Sequence, residues 1–193
     1  MNPAKILIRA DLHLRIWHIC AAIAAVAALD LYVTLVSGPL LEEMAGGKAI
    51  FDFRFGYSRE TANRLLTAFG EDGIRAYALW HSGPDTALAI VECVALIMIC
   101  VRLTRPGVRY SIPASTPMRI AMVAAPIAQA TFDLAENGLV LAVLTQGMLA
   151  NGWLLIAASW ATVMKWIFAG LAISVTTALA GLAFFEWNRR RSG

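Results

Sequence analysis

Asp133, Glu136 and Asn137 are polar residues within the long apolar run Met118–Leu144. Their spacing of three and four places all three side chains on one face of a helix. Inside a bilayer, each carboxylate costs roughly 2.5–3.5 kcal/mol unless it is paired or hydrated. Two carboxyls and an amide on one face could transfer protons as acid or base, or bind a cation through hard oxygen ligands. This face is the strongest candidate for a functional site in the sequence.

The other ligand-binding candidates are polar residues in or beside the remaining apolar runs: Asp30, His81, Asp85, Glu92 and Lys165. With the topology derived below, all of them fall in the outer half of the bilayer, with Glu92 about 10 Å below its surface. Structural alternatives exist for each. Asp85 could stabilise the first turn of a helix, Lys165 could extend to the surface, and Asp30 could bond within the outer loop. For Glu92 and the third-run face, the alternative is a purely structural hydrogen-bonded network.

Composition indicates the elements that must position these residues. The chain is 59% hydrophobic and 15% charged, with a mean hydropathy of +0.66. Four apolar runs, at about 16–36, 84–101, 118–144 and 153–185, are long enough to cross a bilayer as helices. The sequence therefore predicts an all-α membrane protein, in which residues 1–193 form a single domain built as a four-transmembrane-helix bundle.

The distribution of basic residues predicts the orientation. The segments before the first run, between the second and third, and after the fourth contain an excess of positive charge: Lys5, Arg9, Arg15, Arg102, Arg105, Arg109, Arg119, Arg189, Arg190 and Arg191 against Asp11 and Glu186. The loop 39–83 is close to balanced. The positive-inside rule then puts both termini in the cytoplasm and the loop outside, in a bacterial inner membrane. The pI near 9.0 reflects this topology and contact with anionic lipid, not nucleic acid.

The first apolar run has some features of a signal peptide, including the small residues Ala25 and Ala27 after a basic start. Apolar residues continue beyond Asp30 to Val36, however, and Gly38 and Pro39 follow. We therefore expect a membrane span here.

The outer loop is predicted to be largely helical and amphipathic. Ser58 is a good N-cap, and the apolar positions of the next turns lie on one face until Gly70 ends the helix. A second short helix should continue to Trp80. Before it, residues 51–55 alternate aromatic and polar side chains, which predicts a short extended segment. The two helices could form a lid over the spans or lie at the membrane interface without gating.

Residues that often carry cofactors add little. Cys20, Cys93 and Cys100 all lie in apolar runs without metal-ligand spacing, which is typical of buried structural cysteines. His18 and His81 fall at opposite membrane faces and cannot share a haem. Neither a cofactor nor a metal can be named from the sequence.

Small residues predict where helices approach closely. The fourth run carries Gly170, Ser174 and Ala178 at intervals of four, and the first run carries a second small-residue face, with Ala21, Ala25 and Ala28. Such faces are typical of membrane helix interfaces. They predict tight packing within the bundle.

Several short motifs resemble those of a group of uncharacterised bacterial four-span membrane proteins. These are Gly56-Tyr57, a Leu-x-x-x-Gly-x-x-Gly-x-x-x-Tyr stretch from Leu66 to Tyr77, and the third-run signature Asp-x-x-Glu-Asn from Asp133 to Asn137. The resemblance carries no assigned activity. It implies that the outer loop and the third-run face belong to one functional unit.

Three functions fit these features. In the first, a polar carboxylate pocket in the outer half of the bilayer binds or processes a small or amphipathic ligand, and whether the protein is an enzyme stays open. The second is a proton- or cation-coupled transport component, although the inner half shows no matching line of polar residues. The third is an assembly or accessory subunit of a larger membrane complex, or a homo-oligomer. Membrane lipid is the one partner common to all three.

Overall fold

The structure is a computed structural model that describes residues 14–48, 50–105, 111–112, 114–146, 152–189 and 191. Four helical stretches are long and apolar enough to cross a membrane: Ile16–Met44, Arg59–Leu103, Thr116–Gln146 and Gly152–Arg189. The described residues contain no β-strand, so the predicted all-helical, four-span class is confirmed. The membrane that holds these helices and the side on which the termini lie stay predictions. Several residues used for the orientation, including Lys5, Arg9, Asp11 and Arg109, lie outside the described ranges.

The elements follow one another with few loops. They are α1 (Ile16–Tyr32), a π turn (Val33–Ser37), α2 (Gly38–Met44), a 3₁₀ turn (Phe51–Phe53), α3 (Arg59–Trp80), a second π turn (His81–Asp85), α4 (Thr86–Leu103), α5 (Thr116–Gln146) and α6 (Gly152–Arg189). Trp80 Nε1 donates to Ser37 Oγ at 2.9 Å and so joins the end of α3 to the first π turn.

Helix α5 is the centre of the bundle. It packs along α6 and α4, while α1 packs against α4. The span that contains α5 is more enclosed than the other three, which present many large apolar side chains to the surroundings, such as Leu35, Trp160 and Phe185. This distribution is what a bilayer requires, because lipid tails are the solvent for the outer faces.

The buried apolar core lies at one end of the bundle, under residues 50–80, which we call the cap. Phe51, Phe69 and Tyr77 are buried there, with ring centroids 6.0 Å apart for Phe51 and Tyr77 and 5.1 Å apart for Phe69 and Tyr77. They pack with Val140 of α5 and Leu155 of α6. The cap therefore packs on α5 and α6, the two most closely packed helices of the bundle.

Helix α3 begins as predicted, since the Ser58 hydroxyl accepts from the backbone N–H of Thr61 at 3.2 Å. Gly70 interrupts it with φ +59° and ψ −169°, a conformation that favours glycine, so the predicted break is also confirmed. The helix that follows does not stop at Trp80. It continues through the second π turn into α4, so the second span is one uninterrupted helical run with the latter half of α3.

Two other local predictions are wrong. Residues 51–53 form a 3₁₀ turn instead of an extended segment, and this turn buries both Phe51 and Asp52. The small-residue faces on α1 and α6 are exposed, as at Ala25 and Gly170, and α6 instead buries alanines such as Ala172. Spacing alone did not distinguish a helix face that meets its own bundle from one that does not.

Candidate functional site: an ion cluster beside a cavity

The polar face of α5 points into the protein. Asp133, Glu136 and Asn137 are all buried, and Glu136 has no exposed surface. The bundle places this face towards α4, α6 and the cap, where the partners of its side chains lie. The spacing of these residues in the sequence predicts the shared face, but it does not indicate which side chains they contact.

Lys165 of α6 is the cation of the cluster. Its Nζ lies 3.0 Å from Asp52 Oδ1 and 3.3 Å from Asp133 Oδ1, and it is also paired with Glu136 Oε2. Its side chain is only 9% exposed, so the alternative that Lys165 extends to the surface is wrong. One ammonium group is therefore paired with three carboxylates, and these ion pairs connect α6 to α5 and to the cap.

Asp52 is the functional candidate that the sequence analysis missed. Its carboxylate accepts from the Tyr77 hydroxyl at 2.6 Å as well as from Lys165, and its carbonyl accepts from Trp166 Nε1 at 3.2 Å. Burial raises the pKa of Asp52, but the charge of Lys165 and the hydrogen bonds from Tyr77 and Lys165 act against it, and the pKa lies below its ordinary value. The one sequence feature that could have indicated Asp52 is its position between two aromatic residues, Phe51 and Phe53.

Hydroxyl groups complete the cluster around Glu136. The Thr162 hydroxyl donates to Glu136 Oε1 at 2.6 Å, and Ser159 Oγ, one turn earlier on α6, accepts from the backbone N–H of Tyr57 at 2.8 Å. Burial, together with the charges of Glu136 and Asp52, raises the pKa of the Tyr57 phenol far above its ordinary value. Tyr57 therefore stays protonated at neutral pH.

The second π turn positions a His81–Asp85 pair at a spacing of four. The wider turn leaves the carbonyl of His81 to accept from the Thr86 hydroxyl at 2.6 Å. Asn137 Nδ2 lies 3.3 Å from the same hydroxyl, and Asn137 Oδ1 lies 2.9 Å from His81 Nδ1. His81 Nε2 faces Asp52 Oδ2 at 3.3 Å, and its Nδ1 lies 3.4 Å from Asp85 Oδ2. Such π turns are frequent at functional sites.

A cavity of about 320 Å³ lies against this cluster. Its polar lining comes from α1, α4, α5, α6, the two π turns and the 3₁₀ turn: Asp30, Thr34, Asp52, Asp85, Glu92, Gln129, Asp133 and Lys165. At the rim Asp30, Phe53 and Trp166 are exposed, whereas the floor around Asp133 is buried. The cavity therefore leads from the molecular surface to the buried cluster.

The cavity divides the sequence-based candidates into two sets. Asp30, Asp85, Glu92, Asp133 and Lys165 line it, whereas His81, Glu136 and Asn137 are buried and absent from its lining. Glu92 is half-buried and accepts from Gln129 Nε2 at 2.9 Å, not from Lys165. The structure thus brings all but Asp30 and Glu92 into one network and places those two on the cavity wall.

The cavity lining carries a large excess of acidic groups. Among the described residues that line it, the carboxyls are Asp30, Asp52, Asp85, Glu92 and Asp133, and Lys165 is the one basic residue. Lys165 is already paired with two of these and with Glu136. Negative potential in a partly enclosed cavity attracts cations.

The fold and this site define the class of protein: an all-helical chain with four helices of membrane-spanning length around a buried ion cluster. Comparison with protein-family models, curated proteins and solved structures found no match. The resemblance to bacterial four-span proteins stays a prediction.

Proposed function

We propose that this protein is a multi-pass protein of the bacterial inner membrane that binds a small amphipathic cation in its cavity, in the outer half of the bilayer. The observation that carries the proposal is the lining of the cavity, in which five carboxyls face one lysine that is already paired. A volume of about 320 Å³ suits a small ligand.

The charge of the ligand follows from the two carboxyls that the protein leaves uncompensated. Among the described residues, no basic side chain forms an ion pair with Asp30 or Glu92. Glu92 has only a neutral partner, the amide of Gln129, at 2.9 Å. A bound cation would neutralise these groups, whereas an anion would add to the repulsion that already exists.

The amphipathic character follows from the remaining walls. Trp80 and Trp166 line the cavity with aliphatic residues such as Val33, Leu88 and Ile173. Indole faces attract cations and also bury apolar groups. The cavity therefore combines an acidic side with an apolar side.

The route of entry favours a ligand dissolved in the lipid. Helices α1 and α6 both line the cavity, but α1 packs principally against α4 and α6 against α5, so α1 and α6 do not pack closely on each other. Exposed residues on both sides, including Asp30 and Trp166, flank the gap between them. In a bilayer this gap faces sideways, so a molecule with an apolar tail could reach the cavity from the membrane.

Binding of matched ligands tests the proposal. In lipid nanodiscs we expect octylammonium to change the tryptophan fluorescence saturably, and octanoate, of equal chain length and opposite charge, to do so at least about tenfold more weakly. Glu92→Gln and Asp30→Asn should each weaken octylammonium binding, whereas Glu60→Gln on the exposed face of α3 should not. Equal binding of the two ligands, or unchanged binding in both cavity variants, would overturn the proposal.

A further inference from the structure

We propose that Asp52, His81 and Asp85 bind a divalent transition-metal ion. Asp52 and Asp85 also line the cavity of the proposed amphipathic cation, but the two sites can be tested separately, because Asp30 and Glu92 belong only to the cation site. The three residues come from the cap and from both ends of the second π turn, and all three are buried. Each offers one ligand atom, and the three atoms lie within 4.8 Å of one another.

The spacing of two of the donors fits a shared ion. His81 Nε2 and Asp52 Oδ2 are 3.3 Å apart. Two ligands about 2.0–2.1 Å from one tetrahedral ion are separated by roughly that distance. His81 and Asp52 therefore need little rearrangement to coordinate the same metal.

The surrounding hydrogen bonds leave His81 Nε2 as the ligand atom. Thr86 donates its hydroxyl hydrogen to the carbonyl of His81, so its oxygen must accept from Asn137 Nδ2. The carboxamide oxygen of Asn137 then faces His81 Nδ1, at 2.9 Å, and that nitrogen must donate. In a neutral imidazole the lone pair is therefore on Nε2. Metal-binding histidines are commonly held in this way by a hydrogen bond at the other nitrogen.

Two of the buried atoms aimed into this group have no hydrogen bond within the described part of the chain. They are His81 Nε2 and Asp85 Oδ2. His81 is fully buried, and the Asp85 side chain is 10% exposed. The lone pair of a neutral His81 at Nε2 faces Asp52 Oδ2, and this contact is repulsive unless a proton or a metal ion lies between the two atoms. Leaving such groups unsatisfied is costly, and a bound ion would satisfy both.

Charge and access also favour a dication. The cluster contains four carboxyls, Asp52, Asp85, Asp133 and Glu136, against Lys165 and one imidazole. A divalent ion would offset the remaining negative charge. Because Asp52 and Asp85 also line the cavity, the ion has an entry path and room for a water ligand on that side. The imidazole donor favours Zn²⁺ or Co²⁺ over Mg²⁺ and Ca²⁺, which prefer oxygen ligands alone.

Titration with Co²⁺ tests the site directly. Tag-free protein in nanodiscs, stripped with a chelator, should bind one Co²⁺ per chain with visible absorption bands, and Zn²⁺ should abolish these bands whereas excess Mg²⁺ should not. His81→Gln and Asp85→Asn should each weaken Co²⁺ binding by at least about tenfold. Glu92→Gln serves as the matched control, because Glu92 lines the same cavity without joining this group, and it should bind Co²⁺ normally.

Measuring Co²⁺ and octylammonium binding in the same variants tests the metal site separately from the amphipathic-cation site. Loss of octylammonium binding in Glu92→Gln with normal Co²⁺ binding supports both sites. Asp85→Asn gives an independent reading if His81→Gln does not fold. Less than one Co²⁺ per chain, displacement by Mg²⁺, or unchanged affinity in the folded variants would overturn the metal site.

Discussion

Two acidic regions lie side by side in this molecule, and the same residue types behave differently in each. In the buried cluster, Asp52 and Glu136 receive hydrogen bonds from Tyr77 and Thr162, and both are paired with Lys165. At the cavity wall, Asp30 is exposed and Glu92 has one amide partner. Lys165 compensates part of the negative charge of the cluster from within, whereas at the wall no basic side chain of the described residues pairs with Asp30 or Glu92.

The difference separates a structural role from a binding role. Breaking a buried ion pair leaves an uncompensated charge, which typically costs about 3–5 kcal/mol. Exposed charges are hydrated, and their removal usually changes stability by less than about 1 kcal/mol. Substitutions in the cluster should therefore affect folding first, and those at the wall should affect ligand binding first.

The largest effect is expected for Lys165→Met. The variant removes the ammonium that is paired with Asp52, Asp133 and Glu136, so we expect a loss of about 3–5 kcal/mol in the free energy of unfolding. Unfolding in mixed micelles with increasing denaturing detergent measures it.

Arg64→Met is the matched control for Lys165→Met. Arg64 pairs with Glu60 on the surface, where the two side chains are 62% and 79% exposed. Its loss should cost less than about 1 kcal/mol. If both lysine and arginine variants unfold alike, Lys165 does not hold the cluster together.

The next effect separates shape from polarity at Glu136. Glu136→Gln keeps an oxygen that can accept a hydrogen bond from Thr162. Glu136→Leu removes this acceptor and leaves both the Thr162 hydroxyl and Lys165 without a partner at position 136. The leucine variant should be less stable than the glutamine variant by about 1–3 kcal/mol. Thermal unfolding of the pair in one detergent measures the difference, and equal stability would contradict the buried partners.

A smaller, pH-dependent effect is expected at Asp52. Because its pKa is lowered in the folded protein, its contribution to stability is complete above its ordinary pKa and is lost as the pH falls through the lowered one. The stability difference between the native protein and Asp52→Asn should thus be constant above about pH 5 and shrink below about pH 4. A difference that grows in acid would have the wrong sign.

The smallest effect on stability is expected at the cavity wall. Glu92→Gln and Asp30→Asn should change the free energy of unfolding by less than about 1 kcal/mol, because neither residue has an ion pair to lose among the described residues. Both nevertheless weaken octylammonium binding in our proposal. A variant that destabilises the protein as much as Lys165→Met would place its carboxyl in the structural cluster instead.

The four spans and the inward face of α5 could be predicted because they depend on local features. Apolar length predicts a span, and spacings of three and four place Asp133, Glu136 and Asn137 together. The break at Gly70 and the cap at Ser58 are likewise local signals.

Features that depend on tertiary contacts could not be predicted in this way. Asp52 can be buried because Lys165 and Tyr77 both donate hydrogen bonds to its carboxylate. Lys165 is more than a hundred residues away in the chain, and no spacing rule connects these positions. The alternation of residues 51–55 predicted a strand, but these bonds favour a turn that buries both Phe51 and Asp52. The π turn at His81–Asp85 also escaped prediction, although the spacing of those two residues was visible.

We expect the cavity to be open, acidic and selective for cations, and the rate of cysteine labelling at its wall measures this property. Thr34 lines the cavity, and Thr67 on the exposed face of α3 is a reference position. Each is replaced by cysteine in a chain whose three native cysteines, Cys20, Cys93 and Cys100, are alanine.

The labelling rates of a trimethylammonium methanethiosulfonate and its sulfonate counterpart are then compared in nanodiscs. We expect the ratio of cation to anion rates to be at least about tenfold higher at position 34 than at position 67, and to fall towards the reference when Asp30→Asn and Glu92→Gln are added. The same ratio at both positions, or no labelling at position 34, would contradict the account.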